Sequence, residues 1–174
     1  MRRWRRSKWS VCLERSARIS KSSDKDSGVV DNKARFIKKR KHAREKILQA
    51  LYQWQLSGED LDWIKDQYLQ EQGVSAGDEE YFLELLYKIP AEVEHLDATY
   101  GEFVKSFEDR IDPIERNILR IATYEFIHHL EIPYKVVINE AINLAKIYGG
   151  DEGHKFVNGV LDPLSQKLRQ LETA

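Results

Sequence analysis

Sulfur is almost absent from this chain, which has one cysteine, Cys12, and one methionine, Met1. A lone cysteine closes no internal disulfide, so a stapled secreted scaffold is excluded and a reducing compartment is the simpler setting. Long apolar runs are missing too. None approaches the roughly eighteen residues that a membrane-crossing helix needs. Strand signals are confined to Val136-Val137-Ile138, three residues flanked by helix formers. The fold class is therefore all-α. Glycine-rich phosphate loops are also lacking, because Gly149-Gly150 with Gly153 has the wrong spacing and reads as a helix stop.

Metal and catalytic patterns are equally thin. His42, His95, His128, His129 and His154 are scattered, and the adjacent His128-His129 would point different ways on a helix. Glu108, Asp109, Asp112 and Glu115 cluster, but helix capping accounts for Asp112 and Glu115. Cys12 has no fixed partner base. We expect no enzyme, no cofactor and no metal.

What the chain has in abundance is charge, sorted by position. Residues 1–46 hold 17 Lys/Arg against 5 Asp/Glu, and residues 47–174 hold 11 against 24. The steepest stretch is Lys33–Lys46, where Glu45 is the only acid among eight bases. It feeds a helical pattern, which places positive charge at a helix N-terminus, where the dipole opposes it unless an anion arrives. Nucleic acid is the obvious polyanion; a solvated basic tail is the bland alternative. The acidic remainder should repel RNA elsewhere and attract a basic protein.

Residues 1–20 carry an arginine pair without the apolar stretch of a signal peptide, and their Arg/Ser-rich, acid-poor composition only superficially resembles a transit peptide. Residues 20–32 are polar and aperiodic. We expect a disordered extension over 1–32, a helical domain over 33–174, and a cytoplasmic protein.

From about Phe36 the period is helical. Ala43, Ile47, Ala50, Leu51 and Trp54 form one stripe, which Gly58 stops. Leu61, Ile64, Tyr68 and Leu69 mark a second helix ending at Gly73. After the loop Gly73–Gly77, Asp78 caps a third with Phe82, Leu85, Leu86 and Ile89. Pro90 kinks this helix or opens the next, which runs through Val93, Leu96, Tyr100, Phe103 and Val104. Asp112-Pro113-Ile114-Glu115 is a well-marked helix start. Pro133 introduces another helix, closed by Gly149-Gly150. The last carries Phe156, Val157, Val160, Leu161, Leu164, Leu168 and Leu171, interrupted at Asp162-Pro163. About seven helices in short-looped bundles result. The basic run would reach phosphates, and Tyr52, at the stripe's edge, could stack on a base.

Several blocks together resemble the NusB family of transcription antitermination factors. They are Ala43-Arg44-Glu45 with Gln49-Ala50-Leu51-Tyr52-Gln53-Trp54-Gln55-Leu56, Leu119-Arg120-Ile121-Ala122 with Tyr124-Glu125, Pro133–Ala141, and His154–Asp162. The resemblance covers about residues 36–172 and implies two packed helical bundles. It implies binding of the boxA element of nascent ribosomal RNA transcripts with the ribosomal protein NusE, and suppression of termination on RNA polymerase alongside other Nus factors. It places RNA contacts at Arg40, Lys41 and His42, with Arg44 one turn on, and at Lys155 and Phe156; the basic run adds Lys38 and Lys39, and the stripe's edge adds Tyr52. It places NusE contacts at Glu115, Arg116 and Leu119. His42 stands where the family has an arginine. A NusB-like domain also occurs fused to a ribosomal RNA methyltransferase, but 174 residues leave no room for one here. Residues 1–32 have no counterpart in the family pattern; initiation at Val29 or Val30 would account for that.

Overall fold

The computed structural model describes residues 30–70, 74, 78–104 and 111–173. Residues 36–174 form one compact unit, and of residues 1–35 only the helical backbone from Val30 is described. Most of the expected extension, Cys12, the loop Gly73–Gly77 except Val74, and Glu108-Asp109 lie outside the described residues.

Every regular element described is a helix: α1 Val30–Ser57, α2 Leu61–Gln70, α3 Glu79–Ala91, α4 Val93–Gly101, α5 Pro113–His128, α6 Tyr134–Tyr148, α7 Gly153–Leu168 and α8 Gln170–Thr173. Helices α5, α6 and α7 pack on one another with α4 against α5 and α7, while α3 bridges α2 to α4 and α5. Helix α1 joins through side chains: Gln53 Nε2 donates to Gln67 Oε1 at 3.0 Å, and Asn117 Nδ2 donates to Gln55 Oε1 at 2.9 Å.

Helix α5 is the central element, with ten consecutive buried residues from Asn117 to Phe126. A helix covered all round is normally apolar all round. This one carries polar groups, and Asn117, Arg120, Tyr124 and Glu125 each meet a partner from another helix. Arg120 donates to both Asp97 carboxylate oxygens at 2.7 and 2.6 Å, and Tyr124 donates to Glu84 at 3.0 Å.

The helix punctuation follows the sequence at several points. Asp112 accepts from the Ile114 N–H at 2.9 Å with Pro113 in the first helical position. Gly58 ends α1 with φ +67°, a left-handed conformation that other residues resist.

Four expectations change. Helix α1 starts at Val30, not near Phe36. Asp78 sits at the start of α3 without a side-chain cap; its carboxylate is buried 3.9 Å from Arg40. Pro90 lies inside the end of α3, and α4 opens three residues later and closes at Gly101. Pro163 does not interrupt α7, which runs unbroken from Gly153 to Leu168. Val157, Val160, Leu161 and Leu164 are buried on both sides of that proline, so packing overrides the missing N–H. The break comes at Arg169, and α8 is the additional turn beyond it.

Candidate nucleic-acid interface

Because α1 begins at Val30, the run Lys38–Arg44 lies in its third and fourth turns. The dipole acts mainly within the first turn, and backbone N–H groups this far in are taken by the helix. The expected helix-terminus anion site is thereby replaced by a site made of side chains alone.

Helical phase divides those side chains into two sets. Lys38, Lys41 and His42 are exposed, Lys39 is half-buried, and Arg40 and Arg44 turn inward beside Ala43 and Ile47. Arg44 is only 4% exposed. Its Nη2 donates to Glu125 Oε1 at 2.6 Å, and its Nε lies 3.0 and 3.1 Å from the two Glu125 oxygens. Tyr81 donates its hydroxyl to the same Oε1 at 2.5 Å. Arg40 lays its guanidinium over the Tyr81 ring, 4.0 Å from the centroid. The Arg44 guanidinium stands 5.9 Å from that ring. Tyr81 also meets His129 edge-on at 5.6 Å, and His129 reaches Glu84 at 3.1 Å and Glu131 at 2.7 Å.

The electrostatics follow from this burial. Desolvation, the largest single influence, would lower the Arg44 pKa, but the Glu125 carboxylate together with Tyr81 and Glu140 outweighs it and the guanidinium ends above its usual range. Burial, then the Glu125 charge, hold the Tyr81 hydroxyl firmly protonated, as its role as donor requires. Lys46, half-buried two residues beyond Arg44, is pulled down by desolvation.

Two sequence-predicted contacts are corrected. Arg44 is a buried partner of Glu125 and presents no free guanidinium to solvent. Leu119 is 0% exposed and fills the core, so its side chain forms no surface for a partner. Of the other RNA candidates, Tyr52 is half-buried on α1. Lys155, in the opening turn of α7, is exposed with Nζ 2.5 Å from Glu152, and Phe156 beside it is half-buried. Arg116 and Glu115 are half-buried at the start of α5. Glu115 does not fold back on its own cap but accepts the Gly150 N–H, tying α5 to the α6–α7 turn. A Cβ on Gly153 would collide with its carboxylate.

Sequence reasoning missed Tyr81 and Glu125. The clue was present: Arg44 falls among Ala43, Ile47 and Leu51, and Glu125 falls among Ile121, Ala122 and Phe126, so each charge stands on an apolar stripe and requires a buried counter-charge.

Fold and surface together define an all-helical protein in which a basic helical turn is fastened over a buried ion pair. The NusB family model matches residues 41–166. The transcription antitermination protein NusB of Hahella chejuensis is 41% identical over 141 residues, covering 81% of this chain and 95% of that protein. The chain therefore belongs to the NusB family of transcription antitermination proteins, and it is not an enzyme. Among solved structures, T. maritima NusB superposes with a TM-score of 0.67 at 32% identity, covering 74% of this chain and 91% of that one. A crystal structure of antitermination factors NusB and NusE in complex with dsRNA gives a TM-score of 0.66 at 27% identity, covering 75% and 98%. No described helix is long and apolar enough to cross a membrane.

Proposed function

We propose that this chain acts in the cytoplasm as an antitermination factor, binding the boxA-type RNA of nascent ribosomal RNA transcripts together with NusE and suppressing termination by RNA polymerase. The observation that carries the reading is the exposed face of α1, where Lys38, Lys41 and His42 point outward from a helix anchored on its other side by Arg40 and Arg44. A relative of the same fold has been crystallised with both NusE and dsRNA, which fits this pairing of partners.

Lys38 and Lys41 supply the phosphate contacts, with Lys39 and the half-open Arg40 beside them. Tyr52, Lys155 and Phe156 extend the RNA surface, and Glu115 and Arg116 mark the NusE side. Phosphate contacts make affinity fall with salt, by about 0.7 logarithmic units per contact on a single strand and 0.9 on a duplex. Binding of boxA-type RNA, single-stranded and in duplex form, is measured with and without NusE across a salt series. Lys38→Ala with Lys41→Ala should weaken binding and flatten the single-strand slope by about 1.4. Unchanged affinity and slope would remove RNA binding from this face.

A further inference from the structure

We propose that Glu125 and Tyr81 are positioning residues for RNA recognition: neither touches the RNA, and together they set the rotation and order of the basic turn of α1. The inference rests on the RNA-binding reading above. Downstream, α1 is fixed by Ile47, Leu48, Ala50 and Leu51, all nearly or fully buried. Upstream of Ala43 no described apolar side chain is buried, and Ile37 is 55% exposed. The described anchors of that stretch are Arg40 and Arg44, one turn apart and both at the ring of Tyr81. Arg44 in turn is held by Glu125, 81 residues away on α5.

The geometry converts this anchor into recognition. Successive residues of a helix turn by about 100°. With Arg40 and Arg44 inward, Lys38 and His42 stand on the opposite side and Lys41 on the flank. A buried arginine tolerates no rotation that removes its carboxylate, because the charge would then lie unpaired in the interior. The Tyr81 hydroxyl fills another acceptor site on the same carboxylate, which limits how Glu125 itself can turn.

Two variants separate positioning from contact and from mere stability. Glu125→Gln keeps the shape and removes the charge. It should speed amide hydrogen exchange across residues 37–43 and weaken boxA RNA binding about tenfold if the turn is then ordered about a tenth of the time. The second variant replaces the whole cluster by apolar groups of similar volume: Arg44→Met, Tyr81→Phe and Glu125→Leu together. Buried pairs exchanged this way commonly keep stability. It should restore slow exchange in 37–43, wild-type RNA affinity and an unchanged salt slope. Restored exchange with weak binding and a slope flattened by one contact would make Arg44 a phosphate ligand and overturn the proposal. So would Glu125→Gln that lowers Tm but leaves exchange in 37–43 unaltered. The exchange measurement uses no RNA, so failure of the wild-type protein to bind RNA would count against the functional reading and leave this one separately decided.

Discussion

Arg169 offers a sharp test of how the centre of the molecule is held. It follows the last residue of α7 and is 3% exposed. Its guanidinium donates to the carbonyls of Phe126 at 2.8 Å, Glu125 at 3.0 Å, His129 at 2.8 Å and Leu130 at 3.3 Å, and pairs with Glu172. One side chain thus closes the C-terminal end of α5, where helix carbonyls lack intrahelical donors and the dipole favours a cation. Arg169→Met keeps most of the buried stem and deletes the donors. A hydrogen bond to a charged group contributes about 1.5–3 kcal/mol, but these share one group and some carbonyls rehydrate. Summing them would overcount, and removing one partner from a buried charged cluster gives about 3–5 kcal/mol. Against a typical total of about 5–15 kcal/mol this is a large fraction. At about 2–4 °C per kcal/mol for a chain of this size, Tm should fall by roughly 6–20 °C. Urea unfolding followed by circular dichroism should show the midpoint moving with the slope m unchanged. Arg169→Lys, which keeps the charge but loses the planar fork, should fall between the two. A loss below about 1 kcal/mol for Arg169→Met would refute the argument that this cap stabilises the core.

Two further outcomes follow from other buried groups. Asp97→Ala removes the carboxylate that Arg120 holds and that Tyr100 donates to at 2.8 Å. Arg120 is 5% exposed while the Asp97 side chain is 33% exposed, so solvent softens the loss to about 2–3 kcal/mol; a Tm unchanged in differential scanning calorimetry would contradict it. Glu115 is raised above the usual carboxylate range, first by burial and then by the neighbouring Asp112 charge. For such an acid the folded state binds its proton more tightly than the unfolded state, so stability falls as pH rises from about 4.5 through the raised value. Glu115→Gln should therefore be more stable than the parent at pH 7, with the difference closing as pH falls below about 4. A gain that persists at low pH would show that the ionised carboxylate is not the cause.

Helix identity was legible wherever a 3.6-residue apolar stripe coincided with its own punctuation. Asp112-Pro113 and Gly58 marked ends that the structure keeps, because those signals act within a turn of chain. The start of α1 was not legible, since residues before Phe36 lack an apolar period and the helix there is not written in hydrophobic spacing. Pro163 misled because a local rule met burial on both sides of it. At the interface the basic run was visible as composition, but which bases face outward depends on helix phase and on acids far away in sequence. Arg44 and Leu119 were misplaced for the same reason: a residue type names a capability, and its face of the helix decides the use. Glu115 shows the limit of local motifs. The capping pattern was present, yet its carboxylate found the Gly150 N–H on another segment.

The distance in sequence between Arg44 and Glu125 also orders events at the ribosome. At about 5–20 residues per second, the 81 residues between them take roughly 4–16 s to synthesise. Helix α1 leaves the exit tunnel with its inward-facing Arg44 long before the carboxylate that pairs with it has been made. By contrast α5, α6 and α7 are consecutive in the chain and pack on one another, so they are suited to assembling quickly once made. During synthesis the basic segment is thus open on all sides beside ribosomal RNA, and the arrival of α5 is the moment at which it acquires an inside and an outside.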